Sequence, residues 1–441
     1  MKVVLFCPPM HPQLEGDAMR VVPPLGVYII GAKLRQAGHQ VTVYDHQTLR
    51  NYFSDSWDEQ AIHSMINDAD AVGISSNSFS WGLAKKMIEI IKSCRYPPFV
   101  FCGGIHPTFY GTYIMESTET DAVIIDEGEE NTVQLINAIE NGISLSDIPN
   151  IMYRENGKIM ETKACCFHEF EDYGLDYYDM LPENIYFNVP VETSRGCRFR
   201  CAFCSILDAQ NWRGLSVKKS IERIEYASGY IGKKSIFNCI YFVDNCFTAD
   251  IKRATDILRH ICNTPKKYTL QFEARCTDIL GGNHFLDVLD PTRVSSIQMG
   301  IECGYDLGLK LIKKGLTVQQ INKCLAVMHE HDLAKKTLLT FMIGFPWEKR
   351  ENCLRTIEYA LDIEQKYNAV IGINWWLPLK SSLTDNSVKY GFDFDYKMYD
   401  DPLWTMRREY ISKAYAGLDL KDISYICEKY TGSVTSLVDM I

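Results

Sequence analysis

The stretch "TSRGCRFRCAFCSI" (Thr193–Ile206) decides the fold, because it places three cysteines, Cys197, Cys201 and Cys204, within eight positions. A structural zinc ion usually takes four ligands, and no second Cys-x-x-Cys pair lies near this stretch to complete such a set. Three thiolates instead suit a [4Fe–4S] cluster whose fourth iron has no protein ligand. The alternative is that three cysteines are simply buried in a loop.

Three arginines, Arg195, Arg198 and Arg200, stand among these cysteines. Positive charge close to an iron–sulfur cluster raises its reduction potential, whereas arginines of an exposed loop are solvated and do little. The sequence leaves both interpretations open.

The composition limits the class of protein. The chain has 441 residues, enough for two or three domains, and its formal charge of −10 without any Lys/Arg block disfavours a nucleic-acid partner. No apolar run reaches the roughly 20 residues that a membrane helix needs. Apart from the motif and the adjacent Cys165 and Cys166, the sixteen cysteines are scattered singly, which favours reduced thiols over disulfides. The sequence therefore predicts a cytoplasmic protein without nucleic-acid or membrane partners.

In the first 150 residues, short apolar runs alternate with amphipathic stretches. This alternation predicts a doubly wound, mostly parallel α/β sheet, whose ligands bind beyond the carboxyl ends of the strands. The dinucleotide fingerprint of spaced glycines is absent, which disfavours NAD and FAD. The predicted strands are "KVVLFC" (2–7), "VTVYD" (41–45), "AVGISS" (71–76), "FVFCGG" (99–104) and "AVIID" (122–126).

Small, hydroxyl and acidic residues follow three of these strands, in "SSNSFS" (75–80), "GGIHPT" (103–108) and "DEGEE" (126–130). Small residues let backbone N–H groups approach a bulky polar ligand closely. The alternative is that these are ordinary strand-to-helix turns with helix caps.

Strand and helix patterns also alternate after the cysteine motif. About six such units predict a partial (β/α) barrel with polar residues at the carboxyl ends of its strands. Four cysteines in this region, Cys239, Cys246, Cys276 and Cys303, have no cluster-like spacing and are expected to be buried thiols. The predicted strands lie within 236–248, 269–276, 294–304, 335–346 and 369–379.

Both halves of the chain resemble one known family, the cobalamin-dependent radical SAM proteins, in which SAM is S-adenosylmethionine. "PPLGVYIIGAKLRQAGHQVTVYD", "VGISSNSFSWGLAKKMIEIIK", "VFCGGIHPTF" and "AVIIDEGEE" are similar to its N-terminal cobalamin-binding domain. The C-x3-C-x2-C motif, "YFVDNCFT", "GIECG", "IKKGLT" and "IGFPWE" are similar to its radical SAM barrel. The resemblance is to its class B methyltransferases. It implies a Rossmann-like cobalamin-binding domain (1–150), a linker (151–190), a partial (β/α)6 TIM-type barrel (191–385) and a small helical C-terminal cap (386–441).

The resemblance implies three cofactors: a [4Fe–4S] cluster, SAM and cobalamin. Cys197, Cys201 and Cys204 would hold the cluster. Glu273, Arg275 and Glu302 would project toward the ribose or aminocarboxylate of SAM, with a barrel-lining salt bridge as the alternative for each, and Gly344 would pass close to the adenine. The other residues expected at SAM are Phe203, Asp244 and Asn245, and those expected at cobalamin are Ser75, Ser76, Asn77, Gly103, Gly104, Glu127 and Gly128.

The sequence departs from family patterns at two places. The D-x-H-x-x-G motif, which supplies the lower axial histidine in many other cobalamin proteins, is absent, and Asp45 and His46 are adjacent instead. The lower ligand of cobalt therefore stays open. "PLKSS" (378–382) stands where relatives often have a P-G-T turn, so the substrate does not follow from the resemblance.

The implied function is C-methylation of an unactivated carbon in a small molecule, peptide or protein, through a 5′-deoxyadenosyl radical and methylcobalamin. An external one-electron reductant of the flavodoxin or ferredoxin type is expected, and no catalytic side chain is assigned. The nearest alternative keeps both cofactors but cyclises, rearranges a ring or dehydrates. A cobalamin-binding sensor or carrier with a structural cluster is the alternative from another class. A methylthiotransferase would need three further clustered cysteines, and Cys7, Cys94 and Cys102 share no loop.

Overall fold

The computed structural model describes residues 1–12, 20–165, 174–206, 211–265, 268–282, 284–407 and 413–430. Packing divides the chain into two units. The first comprises Met1–Phe187 and Lys397–Trp404, and the second comprises Asn188–Tyr396 and Thr405–Ile441.

The first unit alternates strands and helices as the sequence predicts. Its elements are β1 (Lys2–Phe6), α1 (Leu25–Gln36), β2 (Gln40–Tyr44), α2 (His46–Leu49), α3 (Glu59–Met65), β3 (Ala71–Ser75), α4 (Trp81–Lys92), β4 (Phe99–Gly103), α5 (Ile105–Ser117), β5 (Ala122–Ile124), α6 (Glu129–Asn141), β6 (Ile151–Glu155), β7 (Lys158–Glu161) and α7 (Tyr177–Met180).

These strands form one seven-stranded sheet in the order β2-β1-β3-β4-β5-β6-β7. β1 to β5 are parallel, which confirms the doubly wound prediction, whereas β6 and β7 add an antiparallel hairpin. The hairpin lies within residues 151–190, where the sequence predicts a linker. Its turn is formed by Asn156 and Gly157, both with positive φ (51° and 76°), as the tight turns of two-residue hairpins require.

Apolar side chains on one face of this sheet form a core with α1 and α6. Val3 and Leu5 of β1 and Phe101 of β4 contribute from the sheet, and Leu34 of α1 and Leu135 of α6 cover them. All five are nearly inaccessible to solvent. Two helices thus pack over the central strands and set the position of the strand ends at which ligands of such sheets bind.

The segment Lys397–Trp404 packs on the helices of the first unit, although it lies far along the chain. Its Asp400 carboxylate accepts hydrogen bonds from Trp81 Nε1 (2.8 Å), Lys85 Nζ (2.6 Å) and Tyr113 Oη (2.5 Å). Trp404 Nε1 donates to the carbonyl of Ser78 (3.0 Å). One carboxylate therefore joins the segment to both α4 and α5.

Replacing Asp400 by alanine is expected to lower the free energy of unfolding by about 2–4 kcal/mol, because the change removes three acceptor contacts and leaves a partly buried lysine unpaired. Urea denaturation followed by tryptophan fluorescence measures this loss. Asp393→Asn, at an exposed position, is the control and should have no effect. Equal stability of Asp400→Ala and the control would contradict a structural role for Asp400.

The second unit continues the alternation. Its elements are β8 (Val189–Val191), β9 (Ser194–Arg195), β10 (Arg213–Gly214), α8 (Val217–Ser228), β11 (Cys239–Phe242), α9 (Ile251–Cys262), β12 (Thr269–Glu273), α10 (Cys276–Gly281), β13 (Val294–Glu302), α11 (Asp306–Leu311), α12 (Val318–Glu330), β14 (Thr337–Ile343), α13 (Arg350–Tyr367), β15 (Val370–Trp375), α14 (Ser382–Asp385), α15 (Ser387–Tyr390) and α16 (Leu420–Tyr430). Short 3₁₀ turns cover Arg50–Tyr52, Phe247–Ala249, Leu286–Val288, Pro291–Arg293, Ala334–Lys336, Tyr396–Asp400 and Trp404–Met406.

Six of these strands form one parallel sheet in the order β15-β14-β13-β12-β11-β8, which confirms the partial barrel. Alternate residues of β14 are buried against the helices, and the Phe341 ring contacts the Tyr359 ring of α13. The remaining residues face the opposite side of the sheet and are half-buried. The four barrel cysteines predicted to be buried thiols, Cys239, Cys246, Cys276 and Cys303, are buried.

The described helices can be compared with the length and polarity that a membrane span requires. Within the described ranges, every helix is too short or too polar to cross a membrane. Part of the predicted C-terminal cap lies outside the described residues, namely 408–412 and 431–441. Cys166 of the predicted linker also lies outside them.

Candidate functional site

A cleft of about 710 Å³, including its open mouth, lies at the carboxyl ends of the strands in the first unit. Leu5, Ile74 and Ile124 line it from the sheet, and Val27 and Ile30 line it from α1. Most of its wall is apolar, so it suits a large organic ligand with few charges on the buried part.

Five of the seven residues predicted to bind cobalamin line this cleft, and two do not. The five are Ser75, Gly103, Gly104, Glu127 and Gly128. Ser76 instead lies behind the loop, where its N–H donates to Gly103 O (3.1 Å) and its carbonyl accepts from His106 N–H (3.2 Å). Asn77 caps the following turn, since its Oδ1 accepts from the N–H groups of Phe79 and Ser80.

Glycines make room in this cleft. Gly104 has a φ of 94°, and a Cβ there would lie 2.8 Å from Ser76 O, so the turn requires glycine. Gly26 also lines the cleft, although the sequence did not single it out. A Cβ added at Gly26 would meet no atom within 4 Å, and one added at Gly103 would meet only Ile124 Cβ, at 3.8 Å. The space beside Gly26 and Gly103 is therefore a cradle that a side chain would fill.

Acidic groups follow β5 at the edge of the cleft. Asp126 has a φ of 64°, and its N–H donates to Thr108 Oγ1 (2.9 Å). Burial, together with the neighbouring Glu127, raises the pKa of Asp126 above its usual value. Both side chains can accept hydrogen bonds from a polar ligand group at this rim.

The three motif cysteines lie half-buried on one loop of the second unit, between β9 and residue 206. The loop is fixed by its backbone, because Ala202 N–H donates to Ile312 O (2.8 Å) and Ala202 O accepts from Leu383 N–H (3.0 Å). Burial raises the pKa of Cys197 above its usual value and that of Cys204 to about 11. Among the described residues, no three His, Cys, Asp or Glu side chains converge on a single-ion site. A cluster differs, because it binds each thiolate through a different iron.

Asp244 fixes the strand that enters this loop. Its carboxylate is buried and accepts from Thr193 N–H (2.6 Å), Thr193 Oγ1 (2.6 Å) and Ser194 Oγ (2.5 Å). Arg253 donates to the Thr193 carbonyl from the other side (2.7 Å). Asn245, predicted like Asp244 to bind SAM, is exposed. The carboxylate of Asp244 thus orients the start of the cysteine loop.

The three arginines of the motif differ in their contacts and in their exposure to solvent. Arg195 forms a bidentate pair with Glu192, with both distances 3.0 Å. Arg198 is half-exposed, lies 3.6 Å from Asp250 and stacks on Trp212. Arg200 is exposed. Of the two interpretations left open by the sequence, these contacts favour solvated or carboxylate-paired arginines.

Glu302 forms a buried ion pair near the cysteine loop. Its Oε1 lies 2.9 Å from Lys314 Nζ, and both side chains are 9% exposed. Burial lowers the pKa of Lys314, but the negative charges of Glu302 and Cys201, together with the hydrogen bond to Glu302, raise it above its usual value. Glu302 has a φ of 73°, which non-glycine residues rarely adopt. Its carboxylate is therefore held in place by Lys314, as the salt-bridge alternative expected.

Phe203 and Glu273 are two further residues of the second unit that the family resemblance places at SAM. The Phe203 ring lies 6.2 Å from the Phe345 ring and 5.8 Å from Lys314 Nζ. Glu273, at the end of β12, accepts a long hydrogen bond from Tyr241 Oη (3.4 Å). Burial raises the pKa of Glu273 to about 7, so this carboxyl group can hold or release a proton near neutral pH.

Gly344 ends β14 at a φ of 83°, and a Cβ there would lie 2.7 Å from the Trp375 ring. Its N–H donates to Glu348 Oε2 (2.7 Å), and Phe345 N–H and Tyr305 Oη donate to the same carboxylate. Glu348 is the last residue of "IGFPWE", and its role does not follow from the sequence. The structure makes it the residue that shapes the turn after β14.

Glu348 is expected to make stability depend on pH. Its side chain is fully buried, and burial raises its pKa from 4.5 to about 7. The folded-state pKa is higher than the unfolded one, so the stabilisation is complete below about pH 4.5 and is lost as the pH rises through 7. Between pH 5 and 8 the wild-type chain should lose roughly 2–3 kcal/mol more unfolding free energy than Glu348→Gln.

Urea unfolding at both pH values measures this difference. Glu351→Gln, an exposed change in the first turn of α13, is the control and should follow the wild type. The interpretation fails if Glu348→Gln and the wild type lose the same free energy between the two pH values.

Comparison with known proteins agrees with both candidate sites, the cleft of the first unit and the cysteine loop of the second. Residues 17–136 match the B12 binding domain family, and residues 191–360 match the Radical SAM superfamily. An uncharacterized methyltransferase of Pyrococcus horikoshii is 30% identical over 379 residues, which cover 83% of this chain and 79% of that protein. The chain belongs to the cobalamin-dependent radical SAM enzymes.

Other members of this group differ in their named reactions. The anaerobic magnesium-protoporphyrin IX monomethyl ester cyclase of Rubrivivax gelatinosus is 23% identical over 378 residues, 81% of this chain and 65% of that protein. The solved structure of the radical SAM methyltransferase TsrM from Kitasatospora setae, with cobalamin and a [4Fe–4S] cluster bound, has a TM-score of 0.65 at 16% identity. That match covers 88% of this chain and 75% of TsrM, and it shows a shared fold.

The cofactors of a cobalamin-dependent radical SAM enzyme are cobalamin, SAM and a [4Fe–4S] cluster, and the residues of both units suit them. The three cysteines on a fixed loop provide the thiolate donors, and no fourth cysteine stands in the motif. The open, apolar cleft beside Gly26 and Gly103 provides a cradle for part of a bulky ligand.

Proposed function

We propose that this enzyme is a C-methyltransferase that acts on an unactivated carbon of a small molecule, peptide or protein. The observation that carries the proposal is the methyltransferase relative, whose similarity runs through both the cobalamin-binding and the radical SAM portions. When bound, the cofactors would supply a 5′-deoxyadenosyl radical from SAM and a methyl group from cobalt.

We assign the chain's own residues to three tasks. Cys197, Cys201 and Cys204 hold the cluster. Glu273 and the end of β14 at Gly344 bind and orient SAM in the barrel. The cleft residues of the first unit hold cobalamin. Hydrogen abstraction from carbon requires no general base, so no side chain needs to remove a proton from the substrate.

The cyclase relative favours a second candidate, a reaction that uses the same cofactors without methyl transfer. The similarity covers 81% of this chain and so reaches both cofactor regions, but it covers only 65% of that relative. The two candidates differ in whether SAM is also consumed as a methyl donor.

The test needs no knowledge of the substrate. The full chain, reconstituted anaerobically with iron, sulfide and hydroxocobalamin, is incubated with methyl-labelled SAM and titanium(III) citrate. Methyl transfer predicts S-adenosylhomocysteine and label that co-elutes with cobalamin, together with slow release of 5′-deoxyadenosine. Deoxyadenosine alone would support the cyclase-like candidate. No cleavage of SAM at all would support a sensor or carrier with a structural cluster and refute both enzymatic candidates.

We further propose a flavodoxin or ferredoxin as the external one-electron reductant. Its replacement of titanium citrate in the same assay tests this step. The cytoplasmic location rests on the cysteine usage and on the lack of a long apolar run in the sequence, and it stays a prediction.

A further inference from the structure

Arg275 follows β12 and contacts the cysteine loop itself. Its Nη1 lies 3.8 Å from Cys201 Sγ, and its Nη2 donates to the carbonyl of Lys314. The guanidinium carbon lies 3.5 Å from the centre of the Phe199 ring. The Arg275 N–H donates to Thr248 Oγ1 (3.2 Å). The guanidinium is thus held by the Lys314 carbonyl and the face of the Phe199 ring, and the backbone of Arg275 is held by Thr248. One edge of the guanidinium faces the Cys201 sulfur.

Arg275 forms no ion pair with a described residue, although the Asp278 carboxylate interacts with its charge from a longer distance. In the described part of the chain, no Asp or Glu oxygen lies within salt-bridge distance of it, and its buried Nε has no hydrogen-bond partner. Lys314, the other cation near the loop, is paired with Glu302. Arg195, two residues before Cys197, is paired with Glu192, and Arg198, directly after Cys197, lies 3.6 Å from Asp250. Arg275, whose guanidinium contacts the Cys201 sulfur, therefore follows β12 and does not belong to the cysteine motif.

We propose that Arg275 donates a hydrogen bond to the Cys201 sulfur when that sulfur ligates the cluster, and thereby raises the reduction potential of the cluster. Reduction adds one electron, taken from the external reductant, which is itself oxidised by one electron. The added negative charge spreads over the iron-bound sulfurs. A fixed cation and donor at one of these sulfurs stabilises the reduced cluster more than the oxidised one.

Arg275 is a positioning and tuning residue in this proposal, because it acts on the cluster through its ligand. The proposal rests on the assignment of Cys201 as a ligand, which is part of the proposed function, and it is independent of whether methyl transfer follows. Arg275 was expected from family resemblance to reach SAM, whereas its contact here is with the sulfur.

The experiment measures the midpoint potential of the cluster in the reconstituted full chain, by redox titration followed by electron paramagnetic resonance. Arg275→Gln removes the charge, and Arg275→Lys keeps it but loses the forked donor and the stacking on Phe199. Arg200→Gln is the matched control, since Arg200 adjoins Cys201 in sequence but is exposed.

At a fixed potential, the ratio of reduced to oxidised cluster should fall at least tenfold in Arg275→Gln, which corresponds to about 59 mV for a one-electron couple. Arg275→Lys should shift in the same direction by less, and Arg200→Gln should match the wild type. Iron content near four per chain must accompany each value.

Equal midpoint potentials for Arg275→Gln and Arg200→Gln would overturn the proposal and leave the cluster assignment intact. If Arg275→Gln loses its cluster, Arg275→Lys decides, and an unchanged potential and spectrum in that variant would likewise overturn it. An intact cluster in Cys201→Ala would instead refute the ligand assignment. The two failures are therefore distinguishable.

Discussion

Replacing Cys201 by alanine is expected to reduce the iron content from about four per chain to near zero and to abolish reductive cleavage of SAM, a loss of roughly 1000-fold or more. With two thiolates left on the loop, the cluster loses one of only three protein ligands. Iron analysis, the visible absorbance of the cluster and quantification of 5′-deoxyadenosine by mass spectrometry measure the effect.

Cobalamin binding should survive this change, because the proposed cleft lies in the first unit and has its own core. Cys262→Ala is the matched control, since Cys262 is also a half-buried thiol of the second unit but ends α9 away from the motif. It should retain iron and SAM cleavage. Retention of a SAM-cleaving cluster in Cys201→Ala would show that the motif is structural.

Most of the fold could be predicted from the sequence, because the residue patterns that define it are local. Apolar runs of strand length, separated by amphipathic stretches, determine a parallel α/β arrangement. The hairpin β6–β7 was missed, although its Asn156–Gly157 turn is a strong local signal. The contacts of Asp400 with the first unit could not be predicted, because its three hydrogen-bond partners lie about 290 to 320 residues earlier in the chain.

The site was predictable in its residue types and less so in its contacts. The motif places three cysteines on one loop without reference to any other part of the chain. Arg275 is 74 residues from Cys201, and its contact with that sulfur depends on how two separate loops are positioned. Asp244 was identified as a site residue, but its partners Thr193 and Ser194 belong to the neighbouring strand end. Motifs thus indicate which residues matter, while the packing of strand ends decides what each one touches.

Filling the cleft of the first unit is expected to abolish cobalamin binding while leaving the fold intact. Gly26→Leu adds a side chain where no atom lies within 4 Å, at the second residue of α1, and Gly103→Val adds one at the end of β4. Because leucine is a better helix former than glycine, Gly26→Leu should unfold at no lower temperature than the wild type without cobalamin. The affinity for hydroxocobalamin should fall roughly 1000-fold, or about 4 kcal/mol.

Calorimetric titration of the full chain measures this affinity, and thermal unfolding without cofactor tests the fold. Gly281→Leu is the matched control, because Gly281 also lies in a helix with no atom within 4 Å of its Cβ, but in the second unit. It should bind cobalamin as the wild type does. If Gly26→Leu and Gly103→Val both bind normally, cobalamin does not occupy this cleft. Loss of binding in both, with stability retained, leaves occupation of the cradle as the cause, since the two substitutions enter it from a helix and from a strand and share no other contact.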